Sequence, residues 1–303
     1  MYMDHFGLQE LPFTLTPNTR FFLQLPAHQE ALNLVLVALS GGDGFIKVVG
    51  EVGTGKTMLC RTLLNTLDEQ NYITAYLPNP FLNPEALRQH FALEIGIEEA
   101  LELGDLALMA RINEQLVAHA REGRHTVLIV DEAQAMPEET IEALRLLTNL
   151  ETESEKLFQV VLLGQPELDT LLAQQSLRQL KQRITFSCRL HPLADDAVEL
   201  YLQQRATRAG YNGLSLFSKK AIRLLSEASA GIPRLVNILA HKALMSAYGK
   251  GDVTVSAFHV MRAIDDTEGV TLPNHYQQWL WKGLAIALIS AGVLYAAQSR
   301  GLL

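Results

Sequence analysis

The sequence predicts an α/β fold with a parallel sheet, followed by a smaller all-helical unit. Three observations support this prediction. Short apolar runs alternate with segments of helical periodicity, and strands that alternate with helices form parallel sheets covered on both faces. A glycine-rich turn follows the first apolar run and precedes a helical pattern. After Pro192 only helical periodicity remains.

These patterns define the predicted domains. The apolar runs are FIKVVG (45–50), YITAYL (72–77), TVLIVD (126–131) and FQVVLLG (158–164). The later helical patterns cover residues 195–208, 218–230, 233–248 and 256–265. We therefore expect an α/β domain at 1–192, which includes an N-terminal segment, and a helical lid at 193–266. A polar stretch with Gly and Pro at 267–278 is typical of a linker.

An apolar segment ends the sequence. From Leu280 to Ala297 the single charge is Lys282, and Trp279 and Trp281 lie at the same end. A helix of this length spans about 27 Å, close to the ~30 Å hydrocarbon core of a bilayer. Tryptophan suits the membrane interface, and a lysine near the end of a span can snorkel. We predict a transmembrane helix at 279–298; the alternative is a helix packed on the soluble body.

Composition and charge narrow the function. The 303-residue chain has a formal net charge of −8 and two cysteines, Cys60 and Cys188. The acidic balance argues against a general nucleic-acid binder, because such binding depends on a basic surface that displaces counterions from phosphates. The two cysteines have neither metal-ligand spacing nor the density of a disulfide framework, which favours a reducing cytoplasm.

The glycine-rich turn has the pattern of a phosphate-binding loop. GEVGTGKT, residues 50–57, matches G-x-x-x-x-G-K-[ST] between a strand pattern and a helix pattern. The glycines let the backbone wrap a phosphate with its N–H groups inward, at the positive end of the helix dipole. We expect Lys56 to reach the β- and γ-phosphates and Thr57 to bind Mg²⁺. The predicted nucleotide-binding residues are Gly50, Glu51, Val52, Gly53, Thr54, Gly55, Lys56, Thr57 and Met58.

Polar residues end two of the later apolar runs. In TVLIVDEAQ, Asp131 and Glu132 follow a strand pattern, and in FQVVLLGQPEL, Gln165 does the same. Ligands gather at the carboxyl edge of an open α/β sheet. We expect Asp131 to hold Mg²⁺ and Glu132 to polarise the attacking water. Gln165 is predicted to orient that water or to contact the γ-phosphate.

Two further segments supply candidate arginines. Residues 177–190 contain Arg178, Lys181, Arg183 and Arg189, a pattern compatible with a solvated helix face or a nucleic-acid patch. We favour a third interpretation, in which Arg183, or alternatively Arg178, reaches the nucleotide of a neighbouring subunit and stabilises the transferred phosphoryl group. In GIPRLVNILAHKAL, Pro233 suits the first position of a helix, which places Arg234 in the first turn. Arg234 is predicted to contact the γ-phosphate; a capping or surface arginine is the alternative.

In this order, the motifs GEVGTGKT, LIVDEAQ, LLGQPEL, LKQRI and GIPRLVN resemble those of AAA+ ATPases, and most closely those of the ExeA/GspA-like group of type II secretion and type IV pilus systems. The resemblance extends over residues 1–266. It implies that Gln165 is a first sensor of the nucleotide, that Arg183 acts between subunits and that Arg234 is a second sensor in the lid. Many AAA+ proteins carry Asn, Thr or Ser at the position of Gln165.

The residues and the resemblance together predict a membrane-anchored ATPase that uses ATP and Mg²⁺ and assembles into homo-oligomers. The resemblance implies a role in assembling a type IV (MSHA-like) pilus or type II secretion machinery, with inner-membrane assembly proteins as partners. We expect a cytoplasmic domain anchored to the inner membrane. Two alternatives remain open: a DNA-associated regulator like the transposition ATPases, and a nucleotide-switched scaffold with little hydrolysis.

Overall fold

The computed structural model describes residues 2–16, 19–21, 26–150 and 156–271. These residues divide into two compact units. The α/β unit takes its described residues from 16–192, and the helical unit from 2–15 and 193–271.

The strands all belong to the α/β unit, and the helices to both units. The strands are β1 (Phe45–Gly50), β2 (Tyr72–Leu77), β3 (His125–Val130), β4 (Phe158–Gly164) and β5 (Ile184–Leu190). The helices of the α/β unit are α2 (Pro26–Ser40), α3 (Lys56–Thr66), α4 (Pro84–Glu94), α5 (Asp105–Arg121), α6 (Glu138–Leu147), α7 (Glu167–Leu172) and α8 (Arg178–Arg183). Those of the helical unit are α1 (Tyr2–Phe6), α9 (Asp195–Arg208), α10 (Lys219–Ser229), α11 (Pro233–Lys250) and α12 (Ala257–Asp265).

The parallel sheet has the strand order β2-β3-β4-β1-β5. Val49 of β1 lies opposite Gly164 of β4, and Val130 of β3 lies opposite Leu162 of β4. The carboxyl ends of β1, β3 and β4 therefore reach the same edge of the sheet. The predicted phosphate-binding loop, the carboxylate pair and the strand-end amide follow these three ends, so the register brings them together.

Both faces of the sheet are buried along its central strands. Along β3, Val127 and Ile129 enter a core shared with α2 and α3, whereas Leu128 and Val130 enter a core shared with α4, α5 and α6. A strand that is covered on both faces needs an almost continuous apolar run. This requirement explains the continuous apolar runs of β1, β3 and β4, whereas β2, at an edge of the described sheet, is only partly buried.

The fifth strand, β5, departs from the sequence analysis, which considered a helix face for residues 177–190. The helix α8 ends at Arg183, and the chain continues as a strand that pairs with β1 at the edge of the described sheet. Its residues alternate between half-buried and exposed up to the buried Leu190. The alternation of Ile184, Phe186 and Cys188 with polar residues is the period-2 pattern of a half-covered strand.

The helical unit matches the predicted helices closely because its helix ends carry local signals. The Ser218 side chain caps α10 by accepting a hydrogen bond from the N–H of Ala221, and Ser256 and His259 form a capping box at α12. Pro233 occupies the first turn of α11, and Gly251, with φ 76°, ends that helix.

Residues 2–15 pack into the helical unit, whereas the sequence analysis grouped them with the α/β domain. The N–H of Gln9 donates to the carbonyl of Ala209 over 2.7 Å. Buried Arg205 donates to the carbonyl of Pro12 over 2.6 Å. The ring of Phe13, 2% exposed, lies 5.7 Å from that of Phe217. The buried guanidinium of Arg205 needs an acceptor, which the segment supplies, and the apolar ring of Phe13 packs beside Phe217.

The predicted transmembrane helix at 279–298 and most of the predicted linker lie outside the described residues. Within the described ranges, every helix is too short or too polar to cross a bilayer.

Candidate nucleotide-binding site

The loop between β1 and α3 follows a path that glycine permits. A Cβ on Gly50 would lie 2.7 Å from Oγ1 of Thr54 and 3.0 Å from Cβ of Leu190. Gly55 has φ 104°, and a Cβ there would lie 2.8 Å from Nε2 of His28. Close approach and left-handed backbone are the two conditions under which glycine is required. Gly53, with φ 83°, also adopts the left-handed region.

Lys56 lies inside the loop. It is 5% exposed, and its Nζ donates to the carbonyls of Gly50 over 2.8 Å and Glu51 over 3.1 Å. Burial lowers the pKa of Lys56, while the negative charges of Glu132 and Asp131 act in the opposite direction. The amine is thus held among loop carbonyls and close to the carboxylates of Asp131 and Glu132.

The remaining loop residues differ in exposure. Thr54 is fully buried, and its hydroxyl donates to the carbonyl of Glu51 over 2.8 Å. Glu51 and Val52 are exposed, and Met58 lies in the first turn of α3.

Asp131 and Thr57 form the candidate magnesium site. Asp131 is 3% exposed, and its carboxylate accepts hydrogen bonds from the N–H of Glu132, over 2.9 Å, and from the Thr57 hydroxyl. Burial raises the pKa of Asp131, against the lowering effect of these hydrogen bonds. One carboxylate and one hydroxyl beside a phosphate-binding loop are the hard oxygen donors that Mg²⁺ takes alongside phosphate and water. The residues present therefore fit the predicted ion.

Glu132 is held by two side-chain amides. Nε2 of Gln165 and Nε2 of Gln134 both donate to Oε2 of Glu132, over 3.0 Å and 2.6 Å. Burial alone would raise the pKa of Glu132, but these hydrogen bonds and the charge of Lys56 hold it below its ordinary value. The carboxylate is therefore ionised and oriented.

Gln134 is a residue of this site that the sequence analysis did not assign. Besides its bond to Glu132, its Oε1 accepts the N–H of Gln165 over 2.9 Å. A Cβ on Gly164 would lie 3.1 Å from that Oε1, so the glycine at the end of β4 makes room for the amide. The signal was available as the last residue of LIVDEAQ, but only the register of β3 and β4 shows what Gln134 contacts.

His28, in α2, is a second residue that the sequence analysis did not assign. Its ring is 5% exposed, and Nε2 donates to the carbonyl of Thr54 over 2.8 Å. The residue lies 26 positions before the loop carbonyl that it contacts. A lone histidine in an amphipathic helix gives no indication of such a contact.

The predicted arginines occupy different surroundings. Arg183, at the end of α8, donates to Oγ1 of Thr148 over 3.1 Å and to Oδ1 of Asn149 over 2.6 Å. Arg178, in the first turn of the same helix, is exposed. Arg234 is exposed in the first turn of α11, within the helical unit. The roles assigned to these arginines stay predictions.

Comparisons with known proteins agree with this geometry. Residues 39–172 match the family model described as an AAA domain. The chain is 39% identical, over 291 residues, to General secretion pathway protein A of Aeromonas hydrophila. That alignment covers 96% of this chain, and the chain spans about half (53%) of the length of that relative.

Solved structures share the fold at low identity. The ORC2 protein of Aeropyrum pernix superposes with a TM-score of 0.62 at 15% identity, over 86% of this chain and 74% of that one. For Cdc6p of Pyrobaculum aerophilum the TM-score is 0.63 at 18% identity, over 84% and 70%. The RuvB branch migration motor of Thermotoga maritima gives 0.52 at 16% identity, over 84% and 73%. The fold, the loop and these similarities together indicate an α/β P-loop NTPase core, of which residues 39–172 are similar to AAA domains.

Proposed function

We propose that this protein hydrolyses ATP and couples the reaction to assembly of envelope machinery. The observation that supports this proposal is a connected set of side chains at the carboxyl edge of β1, β3 and β4. Lys56 lies within the loop, Asp131 meets Thr57, and Glu132 is oriented by two amides. A phosphate-binding lysine, a metal-binding pair and an ionised, oriented carboxylate are the parts that phosphoryl transfer to water needs.

Each side chain has a separate task in this proposal. Lys56 leaves its loop carbonyls to bind the β- and γ-phosphates of ATP. Glu132, ionised at neutral pH, accepts a proton from the attacking water, and Gln165 and Gln134 keep its carboxylate in place. Thr57 and Asp131 would hold Mg²⁺, which would supply positive charge to the phosphate oxygens.

We further propose that the sites act within homo-oligomers. Arg183 supplies positive charge to the nucleotide of a neighbouring subunit, with Arg178 as the alternative, and Arg234 contacts the γ-phosphate from the helical unit. Such an arginine can raise the hydrolysis rate by about 10³–10⁵. Hydrolysis per molecule then rises with protein concentration.

The cellular role is proposed from the named relative and from the motif resemblance. The name General secretion pathway protein A places that relative in secretion. We propose that this chain serves the same kind of process, either type II secretion or assembly of an MSHA-type pilus. For the pilus, we propose a role like that of the MSHA biogenesis protein MshM, which its motifs resemble. Anchoring to the inner membrane by residues 279–298 is part of the proposal.

Arg189 and Arg183 count against the DNA alternative. Arg189 pairs with Asp169 over 2.8 Å, and Arg183 is hydrogen-bonded to Thr148 and Asn149. Both arginines would have to leave these partners to bind DNA phosphates, and Arg183 must likewise leave Thr148 and Asn149 to reach a neighbouring nucleotide. Salt-sensitive retention of the chain on DNA would revive that alternative.

The test is ATP hydrolysis by the full chain in detergent, measured over a wide range of protein concentration. Glu132→Gln keeps the shape of the side chain and removes its charge, so we expect nucleotide binding to persist while the rate falls by about 10²–10⁴. Full hydrolysis by Glu132→Gln contradicts the assignment of the base. Tight ATP binding with no hydrolysis at any concentration supports the switch-like scaffold instead.

A further inference from the structure

His28 lies against the phosphate-binding loop from a helix that the loop motif does not include. The imidazole is 5% exposed, and its Nε2 is 2.8 Å from the carbonyl oxygen of Thr54. A carbonyl can only accept, so Nε2 carries the proton and donates. The imidazole is therefore the Nε2–H tautomer, and burial, which lowers the pKa of His28, favours its neutral form.

The contact fixes one peptide unit of the loop. The Thr54 carbonyl and the Gly55 N–H belong to the same planar, trans peptide, so they point in opposite directions. If the imidazole holds the carbonyl on one side, the Gly55 N–H faces the other side. In a loop that binds phosphate through backbone N–H groups, that orientation decides whether this N–H is available.

The rest of the loop leaves this peptide few other positions. Thr54 is fully buried, and both its N–H and its hydroxyl bond to the Glu51 carbonyl, over 3.3 Å and 2.8 Å. On the other side, a Cβ at Gly55 would lie 2.8 Å from Nε2 of His28. The imidazole thus donates to the carbonyl of Thr54 and also occupies the space that a side chain at position 55 would need.

We propose that His28 is a positioning residue for nucleotide binding: its Nε2–H holds the Thr54–Gly55 peptide so that the Gly55 N–H faces the phosphates. The inference rests on the proposed nucleotide-binding function. It assigns to α2 a direct part in the phosphate site.

The test compares nucleotide affinity in His28→Leu and His28→Gln. Leucine fills the space without a donor, and glutamine places its amide Nε2 at a similar reach. We expect His28→Leu to weaken ADP binding about 10-fold to 100-fold, the range of one hydrogen bond to a charged group. His28→Gln should bind ADP within about threefold of the wild-type chain by the same arithmetic. Calorimetric titration of the full chain, well below each melting temperature, measures both.

His119 provides the matched control. It is 4% exposed in α5 of the same unit, and it contacts Thr126 and Gln115. We expect His119→Leu to lower the melting temperature and to leave the ADP affinity unchanged. Equal weakening of ADP binding in His119→Leu and His28→Leu overturns the proposal, because general destabilisation then explains both.

Other outcomes separate this inference from the proposed function. If the wild-type chain binds ADP and His28→Leu binds it with unchanged affinity, only the role of His28 is overturned. The same follows if His28→Gln binds ADP as weakly as His28→Leu does. A wild-type chain that binds neither ADP nor ATP overturns the proposed function and this inference with it. Nitrogen-15 spectra of the wild-type chain report which ring nitrogen of His28 carries the proton, and they do not depend on the folding of a variant. A proton on Nδ1 and none on Nε2 refutes the proposed hydrogen bond.

Discussion

The proposed catalytic edge, called the catalytic edge below, consists of Lys56, Asp131, Glu132 and Gln165. This edge and the basic segment at 178–189 both concentrate charge in the α/β unit. At the catalytic edge the groups are joined to one another: Gln165 donates to Glu132, and Lys56 lies within electrostatic range of both carboxylates. In the basic segment, Arg183 and Arg189 reach different partners on different elements. Groups that share partners respond to substitution together, whereas separately anchored groups respond independently.

The largest effect is expected at Lys56. Lys56→Ala removes the positive charge from the loop and leaves Asp131 and Glu132 without their nearest compensating cation, so we expect nucleotide binding to be lost. Titration with ATP and Mg²⁺ checks this. Lys47, a lysine of β1 that pairs with Asp169, is the matched control; Lys47→Met should still bind ATP. If Lys56→Ala keeps its ATP affinity, the interpretation of the catalytic edge as one connected site is wrong.

The basic segment supplies the next effect. We expect Arg183→Ala to slow hydrolysis by about 10³ without changing ATP affinity, because an arginine between subunits acts on the transition state. Lys181 is exposed in the same helix, and Lys181→Ala is the control, which should hydrolyse ATP at the wild-type rate. Because the arginine and the base then belong to different subunits of one site, mixing Arg183→Ala with Glu132→Gln should restore part of the activity. If Arg178→Ala instead shows the loss, the role passes to Arg178.

A smaller effect is expected at Gln134. Gln134→Leu removes one donor from Glu132 and the acceptor of the Gln165 N–H, so kcat should fall about 10-fold, the effect of one hydrogen bond to a charged group. Gln174→Leu, at an exposed position after α7, should leave kcat unchanged. The combined Gln134→Leu and Gln165→Leu variant should lose less than the product of the single losses. A rise in kcat would show that the amides restrain Glu132.

The smallest effect is on stability, and it has opposite signs at the two adjacent carboxylates. Burial raises the pKa of Asp131, so its ionised form costs stability at neutral pH, and stability is regained as the pH falls through the raised pKa. The pKa of Glu132 is lowered, so its contribution is present above its ordinary value and lost as the pH falls through the lowered pKa.

Melting curves without nucleotide or Mg²⁺ test this difference. Asp131→Asn should melt higher than the wild-type chain at pH 7, by about 2–4 °C for each 1 kcal/mol gained, with the gap closing at acidic pH. Glu132→Gln, in contrast, should show no such gain. A lower melting temperature for Asp131→Asn at pH 7 contradicts the assigned cost of burying the charge.

Much of the catalytic edge was predictable because its parts are local in sequence. A continuous apolar run followed by carboxylates predicts a buried strand with ligands at its end, as at Val130 and Asp131. The glycine pattern at 50–57 predicts a tight loop at a helix start. The strand β5 was missed although its alternation was visible, because a half-buried edge strand leaves a weaker signal than a fully buried one.

The sequence by itself determined the loop, the order of the strands along the chain and the residue types at their ends, since each depends on short-range rules of sterics and burial. Tertiary structure decided which side chains meet. The bonds from Gln134 to Gln165 and from His28 to Thr54 span 31 and 26 residues. Their geometry follows from strand register and from the packing of α2, which no local pattern encodes.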